Sequence, residues 1–493
     1  MAINRLIGAH ALLEKMKKNI ILGVLLVFFT AILQAQSGKK WTLKECVDYA
    51  LLNNISIKQA DLSNKTADVD KLSARAAFLP TVNAQSSHSW NIGLNQNITT
   101  GLLENQTTQF TAAGINANIV LYSGLQNVNR LRRSNLSLLS SQYQMTKMKD
   151  DVSLNVANAF LQILFNKEAL KVQNKQLQNN EKQLQRSQEL VGAGSIPRGD
   201  LLDLQANIAA NKQAILIAEN VLFLSKLSLA QLLQLADFQN FDVIETDYMV
   251  MESPTMKLSP AAILEKAKQQ RMELKIAKTN LDIAEKDVVI ARGAYQPTLS
   301  GFYSMNTRAS DNQRFVGFTP NIANPNSAIG FVQGSNQLVL QPNVSPVLGN
   351  ALPIFTQFGD NKGQSFGLSL NVPILNGLAA RTNLQRAKIN VERNQIALSQ
   401  EELTLERNVY TSFADAQAAL KTYESAQIAL SARKLAFEFA QDRFNVGMMN
   451  AFDINQAQTL YVNAQSEVVR TKFDYIFKTK VVEFYFGIPI TQN

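Results

Sequence analysis

Residue patterns from the first half of the chain return in the second at two fixed offsets, and this duplication limits the possible folds more than any other feature. Thr42 opens a helix with a capping box, "TLKE", whose Glu45 stands three residues on. Ser259, 217 residues later, opens another with Pro260 at its first position. The same offset carries Cys46 onto Ile263, Ala50 onto Ala267, Ile57 onto Leu274, and Pro80 of "FLPTV" onto Pro297 of "YQPTL". Downstream the offset becomes 253, and "IVLYSGL" ending at Leu125 matches "VPILNGL" ending at Leu378. Gly194 then matches Gly447, and Asp200 matches Asp453. Two halves therefore differ by one insertion of 36 residues, placed between Pro297 and Phe366.

Each half reads as helix, strand, loop, strand, long helix, turn, helix. Pro80 and Pro297 end the first helix of each half and hand over to extended chain. In the second strand of the first pair, Ile115, Ala117, Ile119 and Leu121 alternate with Asn116 and Asn118, which gives one apolar and one polar face. Leu368, Leu370 and Val372 repeat the apolar side. Such a strand suits a barrel wall between lipid and water, or a half-buried strand of a soluble sandwich. The 70 residues from Gly124 to Gly194 make about 105 Å of helix. The 38 residues from Thr42 to Leu79 and the 36 from Asp200 to Leu235, stacked end to end, match that length. Each half is thus expected to be a tall helical hairpin with a two-piece return limb. The sevenfold spacing of Leu170, Leu177, Leu184 and Val191, matched by Tyr423, Leu430, Phe437 and Phe444, suggests a coiled-coil seam or ordinary core. The Gln- and Asn-rich face opposite is expected to be wet.

Residues 1–35 read as a secretory signal peptide: Lys15, Lys17 and Lys18 precede an apolar run from Ile20 to Leu33, and Ala35 offers a cleavage point. That run spans about 21 Å as helix, short of the ~30 Å hydrocarbon layer. Met16 serves equally well as a start. Removing this segment takes four Lys/Arg and one Asp/Glu from a net charge of +9 and leaves a mildly basic chain. No basic run is interleaved with aromatics, which argues against nucleic acid as a partner. The mature chain shows no apolar run of about 20 residues, so any membrane crossing is expected to use strands. One cysteine, Cys46, excludes an intrachain disulfide, and it falls in the apolar pattern of the first helix as a buried small residue. With two histidines, His10 and His88, and no Cys–His or Ser–His constellation, no catalytic, cofactor or metal site is expected, and the chain does not read as an enzyme. "GAG" at 192–194 follows a helical pattern and lacks a following Gly-Lys-Ser/Thr, so it is no phosphate loop. Arg198-Gly199-Asp200 is matched in the second half by Ala451-Phe452-Asp453, so the adhesion-like tripeptide is coincidence.

Together these features resemble the TolC family of outer-membrane efflux channels. The resemblance rests on the "WTLKECVDYALLNNISIKQA" opening, the paired "FLPTV" and "YQPTL" turns, the "LYSG" and "LNG" strand exits, and the turns "GSIPRGDLLDLQA" and "GMMNAFDINQAQ". It implies a mainly α fold with a small β part: a periplasmic α-barrel of duplicated helical hairpins, plus four strands per chain given to a twelve-stranded transmembrane β-barrel in a homotrimer. It further implies a passive exit duct, joined to a periplasmic adaptor and an inner-membrane transporter and set in outer-membrane lipid. Gly192, Gly194, Pro197 and Asp200 would then form one adaptor-docking tip, and Gly447 and Met449 the other. Asp453 takes the first of two family positions that ring the narrow entrance, while Gln456 takes the second, and Met449 stands where a family arginine helps to lock the tip shut. Asp200, Asp203 and Asp453 also suit helix caps after the turns.

The expected organisation is a signal peptide over 1–35, a first repeat over 36–257 and a second over 258–493, with an enlarged strand–strand loop at about 301–365 rich in Asn, Gly and Pro. A periplasmic adaptor or scaffold built on a helical hairpin is the alternative, although an adaptor carries one hairpin and a lipoyl-like β domain. The sequence does not name the cargo.

Overall fold

The structure, a computed structural model, describes residues 40–96, 101–194, 197–236, 238–245, 250 and 253–490. The expected signal peptide, with His10 and Met16, lies outside them. In chain order the elements are β1 (Lys40–Trp41), α1 (Leu43–Asn53), α2 (Ile55–Ala76), β2 (Thr81–Gln96), β3 (Leu103–Ser123), α3 (Gln126–Gly192), α4 (Arg198–Leu233) and β4 (Asp242–Val243). There follow α5 (Pro260–Gln270), α6 (Met272–Gly293), β5 (Thr298–Ser310), β6 (Arg314–Pro320), β7 (Asn326–Phe331), β8 (Leu338–Pro342), β9 (Val344–Gly349), α7 (Ile354–Asp360), β10 (Gly363–Asn371), α8 (Ala379–Asn445) and α9 (Ala451–Phe486). The duplication is visible element by element. The paired helices have 11, 22, 67 and 36 residues in both halves. Their first residues stand at the two offsets read from the sequence.

The opening helix of each half is broken, where the sequence pattern suggested one helix to Leu79. Asn54 and Arg271, equivalent positions, both leave the helical region at ψ 133° and 131°. Asn54 is buried; its amide donates to the carbonyl of Leu232 (2.9 Å) and its side-chain oxygen accepts from the Ser56 N–H (2.9 Å). Arg271 is also buried, pairs with Glu273 at 2.8 Å and lies 4.1 Å over the Phe484 ring. At the first break the Asn54 side-chain oxygen takes up the Ser56 N–H that the interrupted helix leaves free, whereas at the second Arg271 holds the break through its ion pair with Glu273 and its contact with Phe484.

Contacts divide the chain into two compact units, each holding parts of both repeats: one of the described residues up to Ala67, Leu138–Leu281 and Arg393–Asn493, the other of Asp68–Ser137 and Asp282–Glu392. In the first, α1 packs its capped N-terminal turns against the middle of α3 and the end of α4. Cys46, Ala50, Val156, Phe160, Leu229 and Leu233 make a fully closed core there, and Cys46 takes the buried role expected of it. A second cluster around Ile263, Ala267, Leu405, Val409 and Val482 repeats that arrangement. Cys46 and Ile263, Ala50 and Ala267, and Ile57 and Leu274 are buried in both copies, which is why the repeat is legible at these positions.

The short strands β1 and β4 pair in parallel and are fastened by charge. Lys167, buried on α3, stands 2.7 Å from Asp242 and donates to the carbonyl of Val243 at 2.9 Å. Lys226 reaches Asp242 at 2.9 Å, and Lys171 reaches Glu245 at 2.6 Å. Helix α4 is long and apolar enough, by length and composition alone, to cross a membrane, which departs from the expectation that the mature chain has no apolar run of about 20 residues. Lys226 on this helix is committed to Asp242, and Leu229 and Leu233 are committed to the core, which ties its C-terminal part to the helical unit.

In the second unit β2, β3, β5 and β10 form one antiparallel sheet in the order β10-β5-β3-β2, so both strand pairs share one sheet and leave β2 and β10 as its edges. The register places Val82, Ala117, Tyr303 and Phe366 side by side on one face and Asn83, Asn116 and Ser304 on the other. Ser304 donates to Asn116 at 2.7 Å within the polar face. His88 lies on the apolar side, its Nδ1 2.9 Å from Thr111 Oγ1 and its ring edge-on to Trp90. The sequence from about 301 to 365 is more ordered than a loop: β6 pairs with β9 and β7 with β8.

Burial pushes the Asp242 carboxyl up, but Lys167 and Lys226 outweigh it and hold it below the usual range. The hydrogen bond from Lys171 holds Glu245 low as well. For Glu273 burial raises the carboxyl, and Arg271 brings it below the usual range. A carboxyl lowered by folding stabilises the folded state above its unfolded pKa, and that contribution is lost as pH falls through the folded pKa. The melting temperature of the helical signal should therefore fall on acidification below about pH 4. Lys167→Met should destabilise at neutral pH by roughly 1–3 kcal/mol and flatten that acid slope, as read by circular dichroism melts against pH.

Candidate functional site

The functional candidates gather at two helix reversals. In the first, α3 ends at Gly192, and the N–H groups of Ala193 and Gly194 close the last turn on Glu189 and Val191. In the second, α8 ends at Asn445, and the N–H groups of Gly447 and Met448 return to Phe444 and Arg443. Gly194 and Gly447 have φ of +73° and +75°, the left-handed conformation that stops a helix and that glycine adopts without cost. A Cβ on either would meet nothing within 4 Å, so backbone conformation alone accounts for glycine here and no close approach within the chain is involved. Gly192 is helical and equally open.

The restart differs between the turns. Pro197 takes the N-cap position of α4 with extended backbone and no side-chain hydrogen bond. Asn450 caps α9, its side-chain oxygen accepting from the Asp453 N–H at 2.8 Å. Neither Asp200 nor Asp453 is a cap, as the sequence pattern allowed. Each is the third helical residue, where a carboxylate faces the positive end of the helix dipole. Asp203 lies one turn further into α4. Asp453 and Gln456 are exposed, and their three-residue spacing sets them on one face of α9. Met449 turns inward and packs with Phe437 against Phe444 and Ile454.

This small cluster closes the second turn, so the position expected to carry a latch holds a packing residue. Above it the Phe437 and Tyr461 rings stack 5.6 Å apart. Sequence reasoning missed two features. Gln176, Asn180 and Ser187, from the face expected to be wet, are buried, and Gln458 of α9 donates to Asn180 of α3 at 2.6 Å. The heptad positions Leu170, Leu177, Leu184 and Val191 are only half-buried beside them. Conversely Val446, Met448 and Phe452 stand exposed around Gly447 and give the second turn an apolar rim. The N-x-x-D spacing of Asn450 and Asp453 was the available signal for the cap; nothing local marks Asn180 as buried.

Comparison with known proteins agrees with this architecture. Residues 46–234 and 263–476 match the outer membrane efflux protein family, one matched stretch in each half of the chain. The outer membrane protein TolC of Vibrio cholerae is 23% identical over 466 residues, covering 91% of this chain and 92% of that protein. The pyoverdine export outer membrane protein OpmQ of Pseudomonas aeruginosa is 21% identical over 447 residues, covering 87% and 81%. Among solved structures, the Campylobacter jejuni CmeC outer membrane channel superposes with a TM-score of 0.72 at 17% identity, covering 92% of this chain and 87% of that one. CusC gives 0.72 at 16% identity over 90% and 92%. The chain belongs to the outer membrane efflux protein family, the TolC family, a family of channel proteins. Its place is the outer membrane with an extension into the periplasm, as an efflux duct.

The cap assignment is testable by stability. Asn450→Ala should cost about 1 kcal/mol, whereas Asp453→Ala should cost no more than ~0.5 kcal/mol. Chemical denaturation of the two purified variants in parallel measures the difference, and equal losses would overturn the assignment.

Proposed function

We propose that three copies of the chain close a twelve-stranded barrel and a helical tube, and that this homotrimer is the passive exit duct of a tripartite system. A periplasmic adaptor and an inner-membrane transporter supply the cargo and the energy, and the chain itself performs no chemistry. The carrying observation is the four-stranded sheet with one apolar and one polar face and two unpaired edges, β2 and β10. Unpaired edge N–H and C=O groups are not tolerated in hydrocarbon, and four strands are too few for any known spanning barrel. Neighbouring copies satisfy both demands by pairing β10 of one with β2 of the next. The apolar face then meets lipid, and the Asn- and Ser-rich face lines a wet lumen.

The helix reversals are the docking tips on this reading. Gly192, Gly194, Pro197 and Asp200 form the first; Gly447 and Met449, with the exposed Val446, Met448 and Phe452 beside them, form the second. Asp453 and Gln456 supply the entrance ring: an exposed carboxylate on the first turn of α9, repeated by threefold symmetry, favours cations in a narrow passage.

The mature protein should have the mass of a trimer in detergent and conduct in a planar bilayer; a conducting monomer would end this reading. Asp453→Ala should leave trimer yield unchanged and weaken cation preference, read as a shift of the single-channel reversal potential toward zero in a salt gradient. Gly447→Leu should preserve insertion and trimer yield while export in cells falls.

A further inference from the structure

The 36-residue insertion builds a β arm whose apolar side chains stand exposed among the described residues. Strands β6 and β9 form its base, and β7 and β8 its outer part. The two ladders are joined by hydrogen bonds from the Asn321 N–H to the Asn343 carbonyl and from the Asn343 N–H to the Pro325 carbonyl, each 2.9 Å. The base is fixed. Gln357 of α7 bonds both the N–H and the carbonyl of Ser310, Asn361 bonds the carbonyl of Arg308, and Asp311 accepts from the Gln109 N–H.

From Phe315 to Gly359, 45 residues, there is no Lys, Arg, His, Asp or Glu. The register gathers Phe315, Phe318, Val344 and Leu348 on one face of the base, and Phe331 and Leu340 on one face of the outer part. Phe318 is 63% exposed and Phe331 70%. A two-stranded ribbon is marginal by itself in water, and an apolar face of this kind invites association.

We propose that the three arms turn their apolar faces toward the threefold axis and pack on one another around the outer mouth of the assembled duct; this rests on the trimer proposed above. The occupant of each apolar face is a second copy of the arm, for three reasons. First, the arm emerges between β5 and the edge strand β10, the edge that meets the next subunit, so arm contact continues that seam. Second, an uncharged apolar face is the composition of a permanent interface between copies, whereas transient partners and anionic headgroups are met through charge. Third, Pro346 pairs with Phe318 inside the ribbon and has no N–H to offer, which obstructs strand addition along β9 and favours contact through the face. The arms thereby form a collar that stiffens the exit.

Maleimide labelling of the full-length trimer in lipid nanodiscs tests this, with Phe318→Cys and Phe331→Cys on the apolar faces and Ser345→Cys on the opposite one. The unsubstituted protein, whose single Cys46 is buried, is the blank. Both apolar-face cysteines should react at least about tenfold more slowly than Ser345→Cys, and Phe318→Lys should lower the temperature at which the trimer dissociates. Equal labelling in a particle of trimeric mass overturns the collar while leaving the duct intact. Protection seen in cells but absent from the purified trimer assigns the face to a foreign partner and overturns it too. A particle of monomeric mass removes the trimer itself, and the collar with it.

Discussion

Backbone hydrogen bonding at the edges of one four-stranded sheet governs the rest of this molecule. In hydrocarbon each unpaired N–H or C=O costs several kcal/mol, and β2 and β10 leave two full rows of them. No rearrangement inside the chain removes that cost, because both strand pairs are already in the same sheet. The sheet is therefore a fragment of a barrel, and association is written into it. Its two faces follow from the same placement: the row from Val82 to Phe366 is apolar and the row from Asn83 to Ser304 is polar.

The helical part is specified by polar groups as much as by its core. Asn54 and Arg271 divide the opening helices at equivalent points, and each is buried with its own set of bonds. Lys167 does comparable work for the connector, drawing Asp242 and the Val243 carbonyl onto α3. Buried polar groups of this kind add little net energy when paired but are costly when left unpaired, so they select one register among several apolar packings. The bond between Asn180 and Gln458 applies the same selection between α3 and α9. Toward the second reversal the apolar content thins to the small cluster of Phe437, Phe444, Met449 and Ile454, so this end of the helices is held by fewer buried apolar contacts than the middle.

The sequence by itself determined the duplication, the alternation of strand pairs with long helices in each half, and the amphipathic strands. These depend on local rules: caps at Thr42 and Ser259, prolines at Pro80 and Pro297, alternation around Ile115, and glycines at the reversals. The helix starts fell on the two offsets because propensity and capping act over a few residues and were copied with them. Tertiary structure alone decided the rest. Asn54 is an ordinary polar residue in a helical pattern until the Leu232 carbonyl comes within 2.9 Å, and Asn180 is one of many amides until Gln458 selects it. Asp453 passed for a cap because its spacing fits one, and only backbone placement gave that role to Asn450. The insertion read as loop because its Asn, Gly and Pro are frequent there, whereas cross-strand pairing of Phe315 with Leu348 turned it into an arm. Local signals fix where elements begin and end; which polar group is buried, and which strand finds a partner, depends on residues far apart in the chain.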